Sequence, residues 1–229
     1  METFLVFKVS CLSLQSENRW MKMKKIILEK ALDLFVKRGF KMVTMDEIAK
    51  ELGISKKTIY THFASKDLLV EETANFLMDE VTERLRNISG TCETPVHEHF
   101  IIKNCMGELF GHNIQPSTIY QFNKYYPKIA EQINKKRQKD FAFIIKRNLK
   151  DGVKKGYYRK DIDLDFVRIM FFISSTYLFQ QESLFENKTE EEFQHLKIKT
   201  LDYHLRSIVT PKGLEILEQL LKTHYTNEI

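Results

Sequence analysis

Residues 44–69, TMDEIAKELGISKKTIYTHFASKDLL, read as two short helices joined by a tight turn and followed by the start of a third. Thr44 suits the N-cap of the first helix, with Glu47 three residues on closing a capping box. Ile48, Ala49 and Leu52 fall at helical spacing and give that helix one apolar face. Gly53 follows, the residue best able to take the left-handed conformation that ends a helix. Ile54 is a short apolar plug, and Ser55 caps the next helix, SKKTIYTHF. Ile59 and Phe63 are four apart and face inward. Lys56, Lys57, Thr58, Tyr60, Thr61 and His62 are left to face outward. Cations, hydroxyls and rings mixed on one short helix suit the major groove of DNA: charge for phosphates, donors and acceptors for base edges, a methyl group for thymine.

Upstream, residues 22–38 form a helix with Ile27, Ala31, Leu34 and Phe35 in one stripe, and Gly39 ends it. Phe40 is expected to plug the small core of the three helices. Downstream, Ser65 opens a fourth helix with Asp67 in its first turn, where the helix dipole favours an anion. That helix runs to about Leu85 with no Gly-, Pro- or Ser-rich linker before it. It is expected to belong to two domains, 21–69 and 70–229, and to connect them mechanically.

The run from Ile26 to Leu69 resembles the TetR family of bacterial transcriptional regulators. The similar features are the helix ending LFVKRGF, the Thr opening the next helix, the DEIAKELGIS turn and TIYTHFASKDLL. They cover about a fifth of the chain, and many spaced positions match at once. Lys57 departs from the pattern, standing where the family often carries Gly; it adds a positive charge without harming the helix. The resemblance assigns DNA contacts to Ser55, Lys56, Lys57, Thr58, Thr61 and His62, and makes Lys66 a lysine that contacts the DNA backbone. Lys57, Thr58 and Thr61 are the expected base readers, and Tyr60 and His62 the expected phosphate binders. Thr44, at a helix N-terminus, suits a phosphate. The plainer alternatives stay open: Thr44 and Ser55 as caps only, Tyr60 as half core, His62 packed against the first helix.

Charge placement agrees. Residues 21–70 hold 11 Lys/Arg against 6 Asp/Glu, whereas the rest of the chain balances 25 against 25. The whole excess of +5 therefore sits on the proposed DNA-binding segment, the footprint that phosphate binding requires. Cys11, Cys92 and Cys105 are far apart, lack metal-ligand spacing and are odd in number, which argues against a disulfide framework and suits a reducing cytoplasm. No metal or cofactor site is expected.

Residues 1–20 do not belong to this pattern. They read as a disordered arm, or as an upstream extension of a chain starting at Met21 or Met23. A signal peptide and a basic arm reaching the minor groove through Lys8 and Arg19 are the alternatives. The segment is too short to span a membrane. Beyond the fourth helix the pattern gives further helices at about 95–110, 116–126, 128–155, 164–185, 189–208 and 211–225, with no strand signal, so the class is all-α. The basic run NKKRQK at 134–139 reads as the solvated face of a long helix rather than a second nucleic-acid surface.

One recognition helix reads only a few base pairs, so a dimer on a palindromic operator is a physical expectation. The resemblance implies pairing through the helices at 164–185 and 189–208. The first of these is apolar nearly all round, so one side can meet its own core and another a partner; the alternative is a core helix deeply buried in a monomer. The resemblance further implies a middle region enclosing a small-molecule effector. Phe100, Met106, Phe110, Tyr120, Phe122, Tyr125, Tyr126, Phe141, Phe172 and Tyr177 are candidate wall residues, though an aromatic stripe at this spacing also serves as plain core. An enzyme is disfavoured because no Gly-rich phosphate loop, Cys/His cluster or nucleophile elbow occurs. A helical ligand-binding or protein-interaction module that has lost DNA binding is the remaining rival. The outward face from Lys56 to His62 speaks against it.

Overall fold

The computed structural model describes residues 2–110, 116–174 and 188–226, with side-chain surroundings given outside 2–17, 103–110, 116–117, 190, 193–194 and 224–226. The described residues form helices and loops, without strands: α1 (Glu2–Arg38), α2 (Met45–Leu52), α3 (Lys56–His62), α4 (Lys66–Ile88), α5 (Pro95–Phe110), α6 (Pro116–Tyr125), α7 (Pro127–Lys154), α8 (Leu164–Phe172), α9 (Glu190–Arg206) and α10 (Pro211–Thr226). The chain divides into two compact units, residues 1–77 and 78–229, and the division falls inside α4.

In the first unit α1 packs on α2, and α2 on α3. The expected stripe is the core: Ile27, Ala31, Leu34 and Phe35 are buried, together with Val43, Ile48, Ala49, Ile59 and Phe63. Phe40 is half-buried and stacks on Phe35 at 4.9 Å. Gly53 takes φ 64°, and its N–H closes the end of α2 on the carbonyls of Ala49 and Lys50. Helix α1 differs from expectation. It begins at Glu2, so residues 2–20, expected as a disordered arm or an upstream extension, form the first half of a 37-residue helix. That stretch holds neither Gly nor Pro to interrupt it.

In the second unit α7 packs against α5, α6 and α8, while α10 packs against α5 and α9. Two loops tie the far end together: Arg159 N–H donates to the Ile208 carbonyl at 2.8 Å, and Thr210 N–H to the Tyr157 carbonyl at 2.9 Å. Tyr158, in the loop between α7 and α8, is fully buried. It fits because residue 152 is Gly; a Cβ there would stand 1.9 Å from the Tyr158 ring.

Helix α8 carries apolar residues on two sides. Val167 and Phe172 are buried, whereas Phe166, Ile169, Met170 and Ile173 are exposed at i, i+3, i+4 and i+7. Within this chain α8 is therefore half covered, not a fully buried core helix. It turns π-helical at residues 173–174, and the rest of its expected span to Phe185 lies outside the described residues.

Candidate nucleic-acid interface and effector cavity

The first unit fixes the geometry of α3. Thr44 Oγ1 accepts from Glu47 N–H at 3.2 Å, forming the expected cap, but the Glu47 carboxylate turns to Arg38. Arg38 also pairs with Glu51 at 3.0 Å, clamping the end of α1 onto α2. Ser55 Oγ accepts from Thr58 N–H at 3.1 Å and lies 2.8 Å from Thr58 Oγ1. Lys56 Nζ donates to Asp46 at 2.8 Å and lies over the Tyr60 ring at 5.9 Å. Ile59 and Phe63 anchor the inner side.

On the outer side, Lys57 is exposed and, among the described residues, has no ion-pair partner. Thr61 is exposed, and its hydroxyl donates back to the Lys57 carbonyl at 2.9 Å. Thr58 is half-buried and Tyr60 exposed. Thr44, Ser55, Lys56, Lys57, Tyr60 and Thr61 are exposed and Thr58 half-buried, on α3 and at the N-terminus of α2.

His62 and Lys66, two further expected contact residues, also have partners within the first unit. His62 is half-buried against Trp20 of α1, with ring centroids 4.9 Å apart, and its Nδ1 is buried without a partner. Burial and the neighbouring Lys24 hold its ionisation below the usual histidine range. Lys66 Nζ donates to the Phe40 carbonyl at 2.6 Å, tying the start of α4 to the loop before α2, and burial lowers its ionisation. Trp20 carries no motif, so only its place on α1 reveals this contact.

The second unit holds a cavity of about 20 Å³ lined by Leu85, His99, Ile102, Phe141, Ile144, Ile145, Asn148 and Phe171. Of the expected pocket residues, Phe141 lines it, Phe100 and Phe172 are buried in the surrounding core, Phe122 and Tyr126 are half-buried, and Tyr120 and Tyr125 are exposed. The side chains of Met106 and Phe110, and all of Tyr177, lie outside the described residues. The space admits one water, not an organic effector.

Beside the cavity lies a polar network that the sequence did not reveal. Buried Glu98 pairs with Arg147 and accepts from Asn148 Nδ2 at 2.8 Å, and Asn148 Oδ1 accepts from the Tyr158 hydroxyl at 3.1 Å. Burial, helped by the Glu98 carboxylate, raises the Tyr158 ionisation well above its usual value. His99 and His204 are buried with ring centroids 6.3 Å apart, and Phe171 stands 5.5 and 5.3 Å from them. Burial and the neighbouring His204 push the His99 ionisation down to about 3; burial pushes His204 down to about 4. No spacing rule pairs residues 99 and 204, which meet only through the packing of the bundle. Among the described residues no group of three His, Cys, Asp or Glu is placed to hold a metal ion, and no helix is long and apolar enough to cross a membrane.

Two short helices joined at a left-handed glycine, the second showing a polar face over a buried Ile–Phe pair, define a DNA-binding helix-turn-helix regulator. Residues 27–73 match the bacterial regulatory proteins of the tetR family. The HTH-type transcriptional repressor KstR2 of Mycolicibacterium smegmatis is 30% identical over 147 residues, covering 62% of this chain and 70% of that protein. A TetR-family transcriptional regulator from Agrobacterium tumefaciens superposes with a TM-score of 0.65 at 13% identity, covering 83% of this chain and 100% of that one. The regulator FadR from Bacillus subtilis, in complex with stearoyl-CoA, superposes with a TM-score of 0.62 at 18% identity, covering 79% and 97%. The chain belongs to the TetR family of transcriptional regulators.

Proposed function

We propose that this regulator is a cytoplasmic repressor that binds a palindromic operator as a homodimer and leaves it when a small molecule occupies the second unit. The observation that carries the reading is the outer surface of α3, where exposed Lys57, Tyr60 and Thr61 stand over a rigid apolar base of Ile59 and Phe63. Lys57, Thr58 and Thr61 read base edges; Thr44, Ser55, Lys56 and Tyr60 contact phosphates and fix the register. Lys66 adds charge next to the backbone while bracing the loop at Phe40. His62 serves chiefly to hold α3 on α1.

Dimerisation is supported by the exposed apolar row Phe166, Ile169, Met170 and Ile173 on α8, with Tyr203 on α9 exposed at 82%. A row of this kind is costly in water and is covered in a partnered state. Two copies of α3 then meet successive major grooves about 34 Å apart. Effector control is supported by the position of Leu85, a residue of α4 that borders the cavity. A ligand enlarging that cavity displaces α4, and α4 begins at the braced Lys66 next to the helix-turn-helix; the DNA-competent population shrinks accordingly. FadR holds a long acyl thioester in its complex, and this chain is proposed to take an apolar effector as well.

Fluorescence anisotropy with the DNA upstream of the chain's own gene, at low salt, tests the reading. Saturable binding that Lys57→Ala weakens supports it; a folded sample that ignores duplex DNA at every salt concentration removes it.

A further inference from the structure

His99 is a buried polar side chain of the second unit whose ring nitrogens the fold leaves largely unused. It is 3% exposed, and both ring nitrogens are buried without a hydrogen-bond partner of good geometry. Asn148 is close enough to interact. Its carbonyl oxygen has a second lone pair for one ring N–H beside the Tyr158 hydroxyl, but its amide N–H groups are committed to the Pro95 carbonyl and Glu98, so the other ring nitrogen keeps no partner. An imidazole left in this way destabilises the fold, so a ring kept at such a place calls for an explanation. The ring borders the cavity, whose accessible wall is wholly apolar, so its nitrogens meet a ligand only once a neighbouring side chain moves.

We propose that His99 is the polar anchor of the effector chamber, and that its ligand is an uncharged, largely apolar molecule carrying a carbonyl or hydroxyl oxygen. This deepens the effector-responsive reading above and rests on it. A neutral imidazole presents one N–H and one lone pair, so it satisfies a ketone or ester oxygen through the first, or a hydroxyl through either. Burial and His204 keep the ring uncharged, so it supplies no cation for a carboxylate. Arg147, the nearest guanidinium of the network, is committed to Glu98 and Asp151. An anionic group brought to His99 therefore loses its water without gaining a counter-charge.

The chamber measures about 20 Å³ as it stands, and Phe171 is the lining residue whose movement would enlarge it toward both histidines. That ring packs against both His99 and His204, two residues before α8 becomes π-helical at 173–174, a local irregularity of the kind that recurs at functional sites. A swing of Phe171 vacates a ring-sized space against His99. It also uncovers His204 Nε2, a second buried nitrogen without a partner, as a further contact for the same ligand.

The test uses the full chain and three C10 probes of matched length: decan-2-one, decan-1-ol and decanoate. Calorimetry should show the ketone and the alcohol binding, with decanoate weaker by about tenfold or more. The His99→Leu variant should bind the ketone about fivefold to tenfold more weakly. In the unsubstituted protein, the ¹⁵N imidazole signals of His99, assigned by their absence in His99→Gln, should shift on adding the ketone. That readout stands even if the leucine variant folds poorly. Failure of both neutral probes to bind, equal affinity for decanoate, or unmoved His99 signals overturns the proposal. Operator affinity is measured in parallel. A ketone that binds at His99 without weakening DNA binding upholds the chamber and removes effector release. Decanoate releasing DNA with His99 undisturbed upholds release and removes the proposed chamber chemistry.

Discussion

The indole of Trp20 lies against the imidazole of His62, with ring centroids 4.9 Å apart and 34° between the planes. The last residue of the recognition helix is thereby held by α1, and burial together with Lys24 keeps the imidazole neutral at pH 7. A neutral ring releases no counterion when DNA binds. His62→Gln should therefore leave the slope of log affinity against log salt unchanged. Trp20→Ala, which removes the stacked partner, should lower stability by about 1 kcal/mol in thermal melts. A slope that flattens in His62→Gln as much as in a lysine replacement would restore His62 as a phosphate contact.

Lys56 and Lys57 are neighbours with different surroundings. Lys56 shares its charge with Asp46, while Lys57 stands exposed with no ion-pair partner among the described residues. Lys57→Ala should reduce the salt slope by about 0.9 for each α3 on the DNA, roughly 2 for a dimer. Lys66→Ala should flatten it too. Lys135→Ala and Lys139→Ala, in the basic run on α7, should leave it alone, since Lys135 already pairs with Glu131 at 2.6 Å. Anisotropy titrations at several salt concentrations separate these outcomes; a change of slope at Lys135 or Lys139 would mean that α7 also meets DNA.

The first unit was legible in the sequence because its determinants are local. Thr44, Gly53 and Ser55 act on backbone within three or four residues, and the stripe from Ile27 to Phe35 obeys one helical period. What escaped depends on residues far apart in the chain. Glu47 suited a capping box by spacing, yet Arg38, nine residues upstream, claims its carboxylate. Tyr158 sits in a polar loop, YYRKDID, and only the missing Cβ at Gly152 shows that its ring can go inside. His99 belongs to no motif and becomes unusual only once α9 brings His204 to it. Residues 2–20 follow no motif, yet they join α1, because nothing in their composition breaks a helix.

The exposed row on α8 makes a prediction about assembly. Phe166→Glu places a charge in a surface that two copies are proposed to bury, where an unpaired carboxylate is costly. Light scattering after size exclusion should find the variant monomeric. Its operator affinity should fall by about two orders of magnitude, since the second recognition helix no longer binds at high effective concentration. Because Phe166 is 60% exposed in the single chain, the fold itself should survive, with unchanged far-UV circular dichroism. A variant that stays dimeric would place the interface elsewhere.

The two buried histidines make stability depend on pH in a stated direction. His99 and His204 ionise at about 3 and about 4 in the folded chain, against 6.5 for an unperturbed ring. Below pH 6.5 the unfolded chain therefore binds protons that the folded chain refuses, and stability falls as the pH drops, levelling off only near the folded values. At pH 5 each ring costs about 2 kcal/mol relative to pH 7, so the pair costs on the order of 4 kcal/mol, with His62 adding a smaller effect in the first unit. Urea unfolding at pH 7, 6 and 5 should show this decline. His99→Leu and His204→Leu should each remove about half of it, and the double variant most of it. If the unsubstituted protein were equally stable at pH 7 and pH 5, both rings would have to accept protons while folded. Water would then reach the space between α5 and α9, and the dry character assigned to the chamber would be lost with it.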